Sequence, residues 1–172
     1  MRAKHTPFFL AAAMMLFAAS ANGALWKFNV FMDGLQETPP VATPGSGTAM
    51  VLYNDVTGLM DVNGTFSGLI GNTTAAHVHG FAPVGTPAGV IFPLTVSPGT
   101  SGTVSGSGTI GDSASVLAGL TYINIHSTFR TGGEIRGQIA GPMLIPEPAA
   151  AALLAIGAAG MLASRRRSRR FA

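Results

Sequence analysis

Cysteine is absent from this 172-residue chain. That excludes disulfide staples, a cysteine nucleophile, thiolate-bound zinc and iron–sulfur chemistry, so stability has to come from core packing. Positive charge is scarce through the middle of the chain. Between residues 22 and 145 only Lys27, Arg130 and Arg136 are positive, against Asp33, Glu37, Asp55, Asp61, Asp112 and Glu134, a net charge of −3. The whole-chain balance of +3 arises from Arg2, Lys4 and the five arginines between Arg165 and Arg170. A mildly acidic domain without a basic stripe is not a nucleic-acid binder. The same stretch lacks a long 3.6-residue hydrophobic period, a paired-carboxylate glycosidase layout and a Gly-x-Ser-x-Gly elbow. About 120 residues support one hydrophobic core and not two comfortable domains.

The two ends carry addresses. Arg2 and Lys4 precede twelve apolar residues, Phe8 to Ala19, and Ala19-Ser20-Ala21 supplies a small-x-small site. This is the layout of a secretory signal peptide over residues 1–21, cleaved after Ala21 or, second, after Ala24. At the other end Pro146-Glu147-Pro148 is followed by fifteen apolar or small residues, Ala149 to Ala163, and then by Ser164-Arg165-Arg166-Arg167-Ser168-Arg169-Arg170. At ~1.5 Å per residue such a helix spans roughly 22 Å, short of the ~30 Å hydrocarbon core. The arginines are expected on the cytoplasmic side.

Residues 143–172 thus resemble the PEP-CTERM sorting signal of Gram-negative bacteria: a Pro-Glu-Pro motif, a short apolar helix and a basic tail. The resemblance implies an exosortase as processing partner beside signal peptidase. It also implies transient anchoring of residues 149–163 in the inner membrane, and delivery to the cell surface or beyond. Proteins with this signal are associated with exopolysaccharide and biofilm, which makes extracellular polysaccharide an expected partner.

The intervening domain has all-β texture. Trp26, Phe28, Val30 and Met32 alternate with Lys27, Asn29, Phe31 and Asp33, the period-two pattern of a half-buried strand. Similar runs follow at 48–53, 59–66, 75–79, 89–94, 102–110, 120–127 and 134–139, separated by Gly-, Pro-, Asn- and Asp-rich breaks. The expectation is a single Greek-key-like sandwich or barrel of about eight short strands, flanked by an N-terminal signal helix and a C-terminal apolar helix. Residues 97–115, rich in Gly, Ser and Thr, read as a linker or a small-residue edge hairpin, with Val104 and Ile110 favouring the hairpin.

Four blocks occur in order: Leu35-Gln36-Glu37-Thr38-Pro39-Pro40-Val41, Ala76-His77-Val78-His79-Gly80, Tyr122-Ile123-Asn124-Ile125-His126-Ser127 and Gly132-Gly133-Glu134-Ile135-Arg136-Gly137-Gln138-Ile139. They resemble the CHRD domain, named after repeats in chordin and widespread in bacterial exported proteins, over residues 25–142. The resemblance implies an extracellular β domain and no particular activity.

The histidines are the one constellation with recognisable chemistry. His77 and His79 lie two apart on an expected strand, so both rings leave one face, with Cα atoms ~6.5–7 Å apart. On the later strand Tyr122, Asn124 and His126 share a face opposite Ile123 and Ile125. If the two strands are neighbours, His77, His79 and His126 form a three-nitrogen site suited to zinc or copper, with a position open for water. The order His-x-His, later His, then Gly132-Gly133-Glu134-Ile135-Arg136 is similar to Cu/Zn superoxide dismutases. A counterpart of their bridging histidine, the remaining zinc ligands and the structural cysteines are missing here. The first reading of the histidines is nonetheless structural, with ring nitrogens bonded to backbone carbonyls or to Glu134, and the metal site is its alternative. For Glu134 and Arg136 the expectation is a buried ion pair that locks the last strand, with Glu37 also in reach.

The sequence therefore points to an exported, surface- or matrix-associated structural or binding module that is not an enzyme and requires no cofactor. The alternative is a copper- or zinc-binding redox domain, which as an enzyme would be a metal-dependent oxidoreductase.

Overall fold

The computed structural model describes residues 23–146, together with 156 and 157. The expected signal helix over 1–21, most of the apolar helix over 149–163, Glu147 and Pro148 of the sorting motif and the arginine tail lie outside the described residues. Among the described residues no helix is long and apolar enough to cross a membrane.

The strands are β1 (Leu25–Asp33), β2 (Ser46–Asn54), β3 (Leu59–Ser67), β4 (Thr73–Gly80), β5 (Val90–Val96), β6 (Gly102–Thr109), β7 (Thr121–Ser127), β8 (Ile135–Ile139) and β9 (Met143–Ile145). A 3₁₀ turn, Gly34–Gln36, follows β1, and a five-residue helix α1, Ser113–Leu117, precedes β7. Alternation produces the strands as read: in β1, Phe28, Val30 and Met32 are buried while Asn29 and Phe31 face out. Asn54 closes the β2–β3 turn, its Oδ1 accepting from the Val56 and Thr57 amides at 3.1 and 2.8 Å.

Eight antiparallel strands close into a barrel in the order β2-β3-β6-β5-β4-β7-β8-β1, with β1 pairing back onto β2 along its whole length. The ninth strand lies outside that count and pairs Leu25–Lys27 of β1 with Met143–Ile145. Closure removes the open edges a flat sheet would expose. β5 and β6 pair only at Thr95↔Ser105 and Val96↔Val104, and beyond that Phe92 and Leu94 lie against Gly108 and Gly106. Residues 102–109 are therefore a barrel strand, paired with β3 along its length, and not a linker or an edge. Residues 113–115 belong to α1, capped by Asp112, whose Oδ1 accepts from the Ser115 amide at 3.0 Å.

The barrel interior is filled by residues such as Phe28, Val51, Met60, Val78, Ile123 and Ile139, all fully buried. Each such side chain contributes roughly 1.5–3 kcal/mol by leaving water. The β1–β8 approach depends on a missing side chain. A Cβ on Gly137 would sit 2.5 Å from the Phe31 carbonyl oxygen and 2.7 Å from the Met32 and Val30 side chains.

β7 departs from the half-exposed pattern. Its residues from Thr121 to Ile125 are all buried, on both faces. Ile123 and Ile125 enter the core, while the polar residues Tyr122, Asn124 and His126 face outward beneath the loops 34–41, 81–89 and 128–134. The candidate site lies on this roofed polar face.

Candidate metal centre

The β4–β7 ladder sets Ala75 opposite His126, His77 opposite Asn124 and His79 opposite Tyr122. The strands are neighbours, so the period-two spacing delivers all three imidazoles to one face. Ring centroids lie 5.5 Å apart for His77–His79, 4.9 Å for His77–His126 and 5.9 Å for His79–His126. One ring nitrogen from each falls within 4.8 Å of the others.

Backbone carbonyls orient the rings. His79 Nδ1 lies 3.0 Å from the Ala88 oxygen and His126 Nδ1 lies 2.9 Å from the Thr131 oxygen. A carbonyl only accepts, so both Nδ1 atoms carry the proton and both Nε2 atoms present lone pairs. His126 Nε2 meets His77 Nδ1 at 3.0 Å. His79 Nε2 is buried and has no partner. A lone pair removed from water and left unbonded is costly. The Nδ1–H to carbonyl bonds are the outer interactions that fix ring orientation around a bound ion.

The surroundings of His77 and His79 favour their neutral forms. Burial lowers the His77 pKa, and the neighbouring His126 lowers it further. Burial also lowers His79, followed by His126, His77 and Arg136, against the raising effect of the Ala88 hydrogen bond. Neutral imidazoles are the form that ligates, so proton competition with a metal is reduced. An ion ~2.0–2.1 Å from each nitrogen would hold tetrahedral ligands about 3.4 Å apart, so nitrogens that lie within 4.8 Å of one another would have to close by up to about 1.4 Å.

His79 is also stacked. Its ring lies 4.9 Å from that of Tyr122 with 8° between planes, and the Arg136 guanidinium sits 3.5 Å over the Tyr122 ring. β4 and β8 flank β7, so the phenol lies between imidazole and guanidinium. The Tyr122 hydroxyl accepts from the Ala88 amide at 2.9 Å and donates to the Ala88 oxygen at 3.2 Å, bracing the carbonyl that holds His79.

A family model described as the CHRD domain matches residues 28–139. The chain belongs to the CHRD domain family. A search of curated proteins and a search of solved structures each find no match. The three histidines of this CHRD domain lie inside the matched region, as do the stacked Tyr122 and Arg136.

Glu134 and Arg136 do not form the expected ion pair. Glu134 precedes β8, and its buried carboxylate accepts from Thr43 Oγ1 at 2.6 Å, the Ile70 amide at 2.6 Å, the Gly71 amide at 3.2 Å and the Ser127 hydroxyl. Burial alone would raise its pKa. The hydrogen bonds, led by those from Ser127 and Thr43, outweigh burial and hold it below the ordinary value. Arg136 turns away over Tyr122 and donates to the Thr86 oxygen at 3.1 Å and to Gln138 Oε1 at 3.0 Å. The carboxylate whose charge acts on Arg136 is that of Glu37. Pro146 is exposed and follows β9, while Glu147 and Pro148 lie outside the described residues.

One group was not legible as a site residue in the sequence. Glu37, a single acid inside the Leu35–Val41 block, is buried. Burial raises its pKa to about 7, against the lowering effects of Arg136 and the Thr38 amide.

Proposed function

We propose that this CHRD domain is an exported binding module whose barrel takes one transition-metal ion, zinc or copper, on His77, His79 and His126. The observation that carries the reading is the buried, partnerless Nε2 of His79, on a ring held by its Nδ1 bond to Ala88 and clustered with two further imidazoles, one ring nitrogen of each lying within 4.8 Å of the others. Imidazole nitrogens suit zinc and copper, and a cysteine-free set of three leaves a coordination position for water or a small ligand. Export rests on the signal-peptide pattern and the PEP-CTERM-like tail, which would bring the module to the cell surface or extracellular matrix through signal peptidase and an exosortase.

The test is the metal content of the full chain, purified without chelator or metal-affinity resin. The expected result is close to one equivalent of zinc or copper, lost in His79→Ala and in His77→Ala. Protein that carries no metal and fails to bind added zinc or copper would overturn the reading and leave a structural histidine cluster. The open position supports a second reading, a copper-dependent redox domain. That reading requires superoxide-consuming activity in copper-loaded protein that zinc-loaded protein lacks.

A further inference from the structure

The end of the barrel at which the chain enters and leaves is apolar. Its last rung sets Leu25 between Ile145 and Asn54, and Leu59 starts β3 across the 55–58 turn. Val56 stands at the tip of that turn, against the start of the chain: a Cβ on Gly23 would lie 2.7 Å from the Val56 Cβ. Val56 is 68 % exposed, Leu144 55 % and Leu59 51 %. Leu144 lies opposite Trp26 on the ladder between β1 and β9. Among the described residues, the loops of this end, 55–58, 81–89 and 110–120, hold two charges, Asp55 and Asp112. Asp55 accepts from the Ala24 amide at 2.8 Å and from Trp26 Nε1 at 3.1 Å, and Asp112 caps α1.

We infer that this end of the barrel docks on the lipid surface of the bilayer that receives residues 149–163. The inference builds on the reading of that apolar run as a membrane segment and extends it to the folded domain. Only residues 146–148 separate Ile145 from Ala149. Four Cα steps reach at most ~14 Å, and the headgroup layer on one side of a bilayer is ~5–7 Å thick. A segment that starts at the hydrocarbon boundary therefore lets the rim stand off the headgroups by no more than ~9 Å. That gap is narrower than one α-helix with its side chains, ~10–12 Å, so no folded partner fits between rim and bilayer. A lone exposed leucine is ordinary on a protein surface, but Val56, Leu59 and Leu144 gather where the chain departs toward an apolar run. They leave water by entering the interface, an attraction proportional to the area buried. Lys27 follows Leu25 by two residues on the same strand face, ~7 Å further from the end, a level that suits lipid phosphates.

The experiment reads Trp26, the one tryptophan of the chain, in the exported form, Asn22 to Ala172. The protein is added to phosphatidylcholine vesicles with a nitroxide quencher on the headgroup or, separately, at the end of the acyl chain. Strong quenching by the headgroup label and weak quenching by the acyl-end label are expected. Quenching is expected to persist when a long Gly-Ser insert after Ile145 releases the barrel from its short link. It should be lost when Val56→Asp and Leu144→Asp are added to the insert, with far-UV circular dichroism unchanged. Should the aspartates disturb the fold, Val56→Ser with Leu144→Ser must show the same loss in part. Three results would overturn the inference alone: a vesicle-bound chain with Trp26 unquenched, quenching that vanishes with the insert by itself, or quenching that the substitutions leave unchanged. A chain that does not bind vesicles at all would overturn the membrane-segment reading together with it.

Discussion

Replacing Glu134 by alanine is expected to be among the most damaging single changes to this barrel, although the residue touches neither candidate site. Its carboxylate is fully buried and gathers four donors from three separate places: Thr43 before β2, Ile70 and Gly71 before β4, and Ser127 at the end of β7. Alanine strands all four. The two hydroxyls can rotate to other acceptors, but the Ile70 and Gly71 amides are fixed by the backbone, and each buried, unmatched donor costs about 1–3 kcal/mol. Allowing for partial entry of water, the loss is roughly 3–5 kcal/mol, against a total of ~5–15 kcal/mol for an ordinary domain. For a barrel of this size that is a fall in Tm on the order of 10–20 °C. Urea unfolding followed by far-UV circular dichroism, with Trp26 fluorescence as a second probe, measures it directly. Glu134→Gln keeps one acceptor and turns the other into a donor, so its loss is expected to be smaller. The pH dependence supplies an internal check. The pKa of Glu134 is depressed in the folded state, so its stabilisation is present above the ordinary value of 4.5 and is lost as pH falls through the folded pKa. The stability gap between wild type and Glu134→Gln should therefore narrow on acidification below 4.5. A Glu134→Ala protein within 1 kcal/mol of wild type, or a gap that stays constant down to pH 2, would refute the reasoning.

Glu37 is expected to act with the opposite sign. Its folded pKa is raised to about 7, so its contribution is present below 4.5 and lost as pH rises toward 7, and Glu37→Gln should remove this slope from a pH series of thermal melts. Gly137→Ala pushes a Cβ into the Phe31 carbonyl where β1 meets β8, and an overpacking loss of roughly 1–3 kcal/mol or more is expected from urea midpoints. Ile123→Ala, in the core opposite the polar face, should cost about 2–5 kcal/mol while leaving zinc stoichiometry at saturation unchanged, read by metal analysis of the folded fraction. On the proposed reading, zinc added to the protein should be released as His77 and His79 protonate, which burial moves below the ordinary value of 6.5, as followed by metal analysis across a pH series.

The strands were legible because a period of two needs no knowledge of the neighbours: Phe28, Val30 and Met32 mark β1 on their own. The same period placed His77 with His79 and His126 with Tyr122 and Asn124. Whether the two strands touch is a property of topology, and the β4–β7 pairing follows from barrel closure and not from any local spacing. The misreading of Glu134 and Arg136 has a related cause. Two-residue spacing suggested a shared face, but Glu134 lies before β8, and its partner Thr43 is 91 residues away in the chain. α1 escaped notice because five residues leave no room for a helical period, and its Asp112 cap sits among small residues that also suit a turn. β9, at three residues, is too short to show alternation. Glu37 could have been suspected from one signal, a lone acid embedded in the Leu35–Val41 block, but its burial arises from loops that fold over β7.

The pairing of β9 with the start of β1 bears on how the barrel responds to load. Leu25 faces Ile145, so the chain enters and leaves the barrel at adjacent points of one antiparallel ladder. Tension applied through the C-terminal side of Ile145 meets the ladder end-on and opens its bonds one after another, as a zipper opens, instead of shearing them together. Three residues of β9 would detach at low force and lengthen the tether by about 10 Å at ~3.3 Å per residue. The eight-stranded closure, with β1 still paired to β2 along nine residues, would remain intact behind them. A tethered copy of this domain thus has slack built in ahead of the elements that carry His77, His79 and His126.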